Sequence, residues 1–204
     1  MTVRVCPIVE GDGEVAALPV LLRRIAAWLT PHCAVDIRRP IRVARMTLLN
    51  RPNEFDRHLQ LAANYCEADG WILILLDADD DCPVDLAAQL RARAARIVPH
   101  RQVAVVLANR EFEAWFIAAA PSLTHAGLTL LPEDRQVQAE TPRDAKGWLG
   151  KRMGPQRYHP TSDQPRFAHH IDLDLARERS RSFRKLCDDW ERLTLALAPG
   201  AGEP

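Results

Sequence analysis

Residues 71–81 read WILILLDADDD: an unbroken apolar run that ends abruptly in acids. Five consecutive apolar residues, Ile72 to Leu76, suit a strand covered on both faces, as in a parallel sheet. Three more stretches read as strands: residues 2–9 (TVRVCPIV), 35–43 (VDIRRPIRV, weaker and broken by Pro40) and 103–108 (VAVVLA). Helical patterns separate them. Leu18, Leu21, Leu22, Ile25 and Leu29 recur at helical spacing, and Pro19, tolerated in a first turn, sets the start of that helix shortly before itself. A polar loop through Asn50, Pro52 and Asn53 leads to a helix over roughly residues 54–68. Pro83 opens a helix to about Val98, and Asn109 is expected to cap one beginning EFEAWFIAA. Strand and helix in alternation predict an α/β domain over residues 1–120, with a mostly parallel four-stranded sheet flanked by helices.

Beyond residue 120 the pattern changes. Pro121, Pro132, Pro142, Pro155, Pro160 and Pro165 punctuate short segments. A helix near 142–152, a looped stretch, and a helix from its N-cap Ser180 to about Leu197 are expected. Residues 121–198 thus read as a small, mainly helical extension, and 199–204 as a disordered tail.

Composition excludes several classes. At 204 residues the chain is long enough for a substantial core. Five scattered cysteines without a CxxC argue for reduced thiols in a cytoplasmic protein rather than a zinc knuckle or disulfide framework. No apolar run is long enough to span a bilayer, and no GxxxxGK offers a P-loop. Lys+Arg and Asp+Glu balance at 27 each, yet residues 141–187 carry eleven basic against five acidic side chains. That basic segment is either a solvated helical face or a nucleic-acid surface, with Arg181, Arg184 and Lys185 as the candidate phosphate contacts.

The chemistry is written at the strand ends. Parallel sheets place ligands at the carboxyl ends of their strands. Three of those ends carry acids here: Glu10, then Asp77, Asp79, Asp80 and Asp81, then Glu111 and Glu113. In an extended segment Asp77 and Asp79 project to one side. Clustered carboxylates repel one another, and hard cations such as Mg²⁺ relieve that repulsion. Glu10, Asp77 and Asp79 therefore read as one metal site. Asp80 and Asp81 read as caps for the helix opened by Pro83, and Glu14 and Glu111 as either site residues or favourable charges at helix N-termini. Trp115 and Phe116 read as core, and His159, His169 and His170 as exposed loop histidines.

PIVEGDGE followed one βαβ unit later by LLDADDD resembles a Toprim domain, whose motifs are a Glu-Gly after the first strand and an Asp-x-Asp after the third. The longer series PIVEGDGE, ALPVLLRRI, LLDADDD, NREFEAWF, YHPTSDQ and SRSFRKL resembles the bacterial family called domain of unknown function 4276, over about residues 3 to 187. The resemblance to Toprim domains, which occur in topoisomerases, primases and the overcoming-lysogenisation-defect (OLD) nucleases, implies Glu10 as the Toprim glutamate and Asp77 and Asp79 as a metal-binding pair. Glu14 matches the second acid of the nuclease branch, and Glu113 or Glu111 would supply a second metal. A catalytic lysine would be Lys146 or Lys151. The implied activity is Mg²⁺- or Mn²⁺-dependent nucleic-acid phosphodiester hydrolysis, with one or two ions, in phage defence or DNA processing with an ATPase partner. A metal-binding partner module of an ABC-type ATPase is the alternative. An aspartate-based phosphatase fits less well, because Glu10 stands where such enzymes place the nucleophilic aspartate. Tyr158, Thr161, Asp163 and Gln164 belong to the family-like pattern without a mechanism.

Overall fold

The computed structural model describes residues 2–198; the tail expected to be disordered lies outside them. The chain runs β1 (Val3–Val9), α1 (Asp12–Leu29), β2 (Val35–Ile37), β3 (Ile41–Arg42), α2 (Arg45–Asn50), α3 (Pro52–Cys66), β4 (Gly70–Asp77), α4 (Pro83–Ile97) and β5 (Gln102–Ala108). It continues through α5 (Ala114–Ala118), α6 (Ala145–Lys151), α7 (Pro160–His170), α8 (Leu173–Arg179) and α9 (Arg181–Leu197).

All strand pairs are parallel, in the order β2-β1-β4-β5, with β3 also pairing β1. The expected four strands are therefore five. Residues 35–43 split at Pro40, which has no N–H to donate to a ladder, and both fragments lie against β1. The side chains alternate between two cores. Val5, Val9, Trp71, Leu73, Leu75, Ala104 and Val106 join α1, α5, α7 and α9 on one face. Cys6, Ile8, Ile72, Ile74, Leu76, Val105 and Leu107 join α3 and α4 on the other. Burial on both faces explains why β4 is apolar without alternation. Residues beyond 120 share the first of these cores, so the helical C-terminus packs directly on the sheet. No helix among the described residues is long and apolar enough to cross a membrane.

Helix boundaries show where local signals are outweighed. α1 begins at Asp12 rather than just before Pro19, which lies inside it. The Glu14 carboxylate satisfies the N–H groups of Glu10 and Gly11, so the helix starts as soon as the strand ends. Asn109 does not cap α5; it donates to Glu140 instead, and the α-helix proper starts only at Ala114. The stretch expected to loop holds α7 and α8: Pro160 occupies a first turn, where its missing N–H costs nothing. α2 lies where no helix was expected. Ser180 caps α9 as expected, accepting from Phe183 N.

Candidate functional site

The strand order reverses direction between β1 and β4, the position at which parallel sheets open a crevice. Glu10 and Asp77 leave the sheet on either side of that point. Asp77 N donates to Glu10 Oε1 at 2.5 Å, which fixes the two acids together. Asp77, 9% exposed, turns towards the α1 side and accepts from Phe112 N through Oδ1 at 2.6 Å. Its other oxygen faces Lys146 Nζ at 3.7 Å.

Lys146 reaches in from the N-terminal turn of α6. Its ammonium lies 3.6 Å from Glu111 Oε1 and 3.3 Å from Glu113 Oε2. Glu111 also holds the helix itself, accepting from Lys146 N at 3.0 Å. Glu113 is fully buried: Oε1 accepts from Tyr158 OH at 3.0 Å and Gln164 Nε2 at 2.8 Å, whereas Oε2 receives no hydrogen bond. Acids from two segments, Asp77 at the end of β4 and Glu111 and Glu113 after β5, thus surround one ammonium.

The electrostatics follow from this crowding. Burial, then the neighbouring Glu10 charge, pushes the Asp77 carboxyl well above the usual aspartate range. Burial likewise raises Glu10, partly offset by the Asp77 N–H. Glu14 is raised by burial and by Glu10 and Glu113, against the Gly11 N–H. At Lys146 burial opposes the charge, but Glu113, Asp77 and Glu111 outweigh it and hold the ammonium above the ordinary lysine value. Burial is the largest influence on each of these groups, and like charge among the carboxylates adds to it.

The Asp-rich loop departs from expectation. Asp79 has a positive φ of 51°, as does its neighbour in space Arg110 at 68°, and Asp79 N donates to Arg110 O at 3.0 Å. The extended alternation that would send Asp77 and Asp79 to one side is therefore interrupted. Asp79 is exposed and lies 3.5 Å from Arg45 Nε. Asp80 pairs with Arg110 and Asp81 with Arg45, so neither caps α4, whose N-cap is Cys82. Two non-glycine residues held at positive φ at one sheet edge represent stored backbone strain, a feature that clusters at working sites.

Arg45 escaped the sequence reading. It donates from α2 to Asp77 O at 3.1 Å and Ala78 O at 3.4 Å, clamping the end of β4. A lone arginine in an unpredicted helix carries no local signal of this. Tyr158 and Gln164 were visible as part of a motif, but their target, Glu113, appears only in three dimensions. Lys151, the other lysine candidate, is exposed and pairs with no acid among the described residues. His159, His169 and His170 are exposed, although the latter two lie in the last turn of α7 rather than in a loop.

The basic candidates divide. Arg181 is exposed at the start of α9. Arg184 donates to the carbonyls of Arg177 and Glu178, and Lys185 pairs with Asp189. Arg181 and Lys185 line a cleft of about 350 Å³ that reaches Asn109, just past β5, and Glu140. Glu140 closes the start of α9, accepting from Ser180 Oγ, Ser182 N and Ser182 Oγ.

Among the described residues no three His, Cys, Asp or Glu side chains stand as a ready-made metal-ligand group. Of the expected trio, Glu10 and Asp77 are joined by a hydrogen bond, and Asp79, exposed and beside Arg45, still lies near enough to Glu10 for its charge to oppose ionisation there. What the fold gathers is Glu10, Glu14, Asp77, Glu111 and Glu113 around Lys146.

A family model described as Domain of unknown function (DUF4276) matches residues 9–191, and the chain belongs to that family. No curated protein and no solved structure matches it.

Proposed function

We propose that the chain is a Toprim-like, divalent-cation-dependent phosphodiesterase acting on nucleic acid. The observation that carries this reading is the convergence of Glu10, Asp77 and Glu113 on one sheet edge, with Glu113 Oε2 buried and without a hydrogen bond. A hard cation suits this donor set: all its ligands are carboxylate oxygens, and their charges exceed that of Lys146. Glu10, Asp77 and Glu113 would hold Mg²⁺ or Mn²⁺. Asp79 and Glu111 stand at the rim, and Glu14 remains committed to the start of α1. When bound, the cation supplies charge stabilisation to a phosphoryl oxygen and a lowered pKa to water.

The chain's own residues have separable tasks. Glu10 Oε1 is engaged by Asp77 N, which leaves Oε2 as the atom that would face the cation. Lys146, held charged, would neutralise charge developing on phosphate. Arg181, and Lys185 once freed from Asp189, would hold the backbone of the nucleic acid. A partner ATPase is supported only by the resemblance to OLD nucleases.

The test is cleavage of plasmid and single-stranded DNA and of RNA by the purified chain with Mg²⁺, Mn²⁺ or chelator. Cation-dependent cleavage that Asp77→Asn abolishes supports the reading. Equal turnover in chelator, or in the variant, refutes it.

A further inference from the structure

The segment YHPTSDQ, residues 158–164, is built around a single carboxylate. Asp163 Oδ2 accepts from His159 N at 2.7 Å and its Oδ1 pairs with Arg166 at 2.8 Å. This closes the first turn of α7 and sets the direction of Tyr158 before it and Gln164 within it. Both of these then donate to the same atom, Glu113 Oε1.

The far side of Gln164 is equally constrained. Its Oε1 is buried, has no hydrogen-bond partner and lies against Gly13. A Cβ at Gly13 would fall 2.3 Å from that oxygen, closer than real Cβ atoms come, and 3.0 Å from Pro160 O, a tight contact. Gly13, in the EGDGE segment that ends β1, thus leaves the space into which Gln164 fits. Two motifs about 150 residues apart meet over this one missing methyl group.

A carboxylate with both donors on one oxygen is asymmetric. Glu113 Oε1 is saturated, and the second oxygen is held facing Lys146 with nothing else to bind. Partners that orient a ligating side chain commonly change metal affinity about 10–100-fold when removed. We propose that Tyr158, Gln164 and Gly13 are positioning residues that aim Glu113 Oε2 at a divalent cation on the carboxyl edge. This inference rests on the cation reading above.

The experiment is titration of Mn²⁺ into the full chain, followed by calorimetry and by the electron paramagnetic resonance of free Mn²⁺, with melting curves in chelator as the fold control. Tyr158→Phe and Gly13→Ala should each weaken Mn²⁺ binding about tenfold or more while the fold survives. Gly13→Ala leaves the chemistry of Tyr158 and Glu113 untouched, so it reports on position alone. In a Glu113→Gln background, Tyr158→Phe should have no further effect, because the two act through one atom. Wild-type affinity in both single variants would overturn the proposal while leaving the cation reading in place. An additive loss in the double variant would also overturn it, since Tyr158 would then act independently of Glu113. Absence of Mn²⁺ binding by the wild-type chain would instead overturn the cation reading, and this inference with it.

Discussion

Asp77 N donates to Glu10 Oε1 across neighbouring strands, so the Glu10 carboxylate cannot leave the end of β4 without breaking that hydrogen bond. The sheet itself holds the pair together, in a place where burial and like charge oppose their ionisation. Under the proposed function, affinity for a cation would be the counterpart of that enforced repulsion.

Asp77→Asn should stabilise the cation-free protein as the pH rises. The Asp77 pKa is raised in the folded state, so its contribution to stability is fully present below the ordinary aspartate value of 3.8 and is lost as pH climbs through the folded value. Asparagine keeps an acceptor for Phe112 N but carries no charge. A tenfold bias in protonation is worth about 1.4 kcal/mol, which for a chain of this size is roughly 3–6 °C in Tm. Melting curves in chelator should show the variant gaining on wild type as the pH rises above 3.8. A constant or shrinking gap would contradict the buried-repulsion account.

Glu140→Gln should show the opposite sign. Burial disfavours its charge, but the Asn109 amide, Ser182 N–H and the Ser180 and Ser182 hydroxyls outweigh this and lower its pKa. Its stabilising effect is therefore present above the ordinary value of 4.5 and disappears as pH falls through the lower folded value. Hydrogen bonds to a charged group contribute about 1.5–3 kcal/mol. Denaturant titrations should find a loss of that order at pH 7 and a smaller one near pH 3.

The two candidate lysines should separate cleanly. Lys146→Ala removes the one ammonium facing Glu113, and breaking a buried ion pair from one side costs about 3–5 kcal/mol. Because Lys146 is partly exposed, the lower end applies. Added Mn²⁺ should restore much of the lost stability while cleavage remains absent. Lys151→Ala should leave both stability and cleavage within about twofold of wild type, a change smaller than 0.5 kcal/mol. Equal effects of the two substitutions would contradict the placement of α6.

Arg181→Ala should weaken nucleic-acid binding at every sequence and reduce the salt slope on duplex DNA by about 0.9. Arg184→Ala should change the slope less, since its guanidinium is occupied by the carbonyls of Arg177 and Glu178. Fluorescence anisotropy across a salt series reads both. Unchanged slopes in both variants would make the start of α9 a solvated face and nothing more.

Much of the sheet was legible because it is buried on both faces. Ile72 to Leu76 have no polar residue to offer solvent, and such a run fits few folds. Glu10 and Asp77 were legible for the same reason: an acid directly after an apolar strand has no ordinary structural role. Helix α7 was hidden because Pro165, inside it, acts locally as a breaker. Packing against α1, including the donation of Arg24 Nη1 to Ala168 O at 2.9 Å, outweighs that tendency. Asp79 could not be placed from sequence, because strand periodicity ends at the residue where φ becomes positive. Arg45 and Tyr158 acquire their targets only when distant segments meet, and no local pattern encodes that meeting.

The most direct test of the central claim is an anomalous difference map from crystals grown with Mn²⁺. The account predicts a peak at bonding distance from Asp77 Oδ2 and Glu113 Oε2, with Glu10 beside it and the Lys146 ammonium displaced from its present position. A map with no peak at this edge at saturating Mn²⁺, and Lys146 still among the carboxylates, would contradict it.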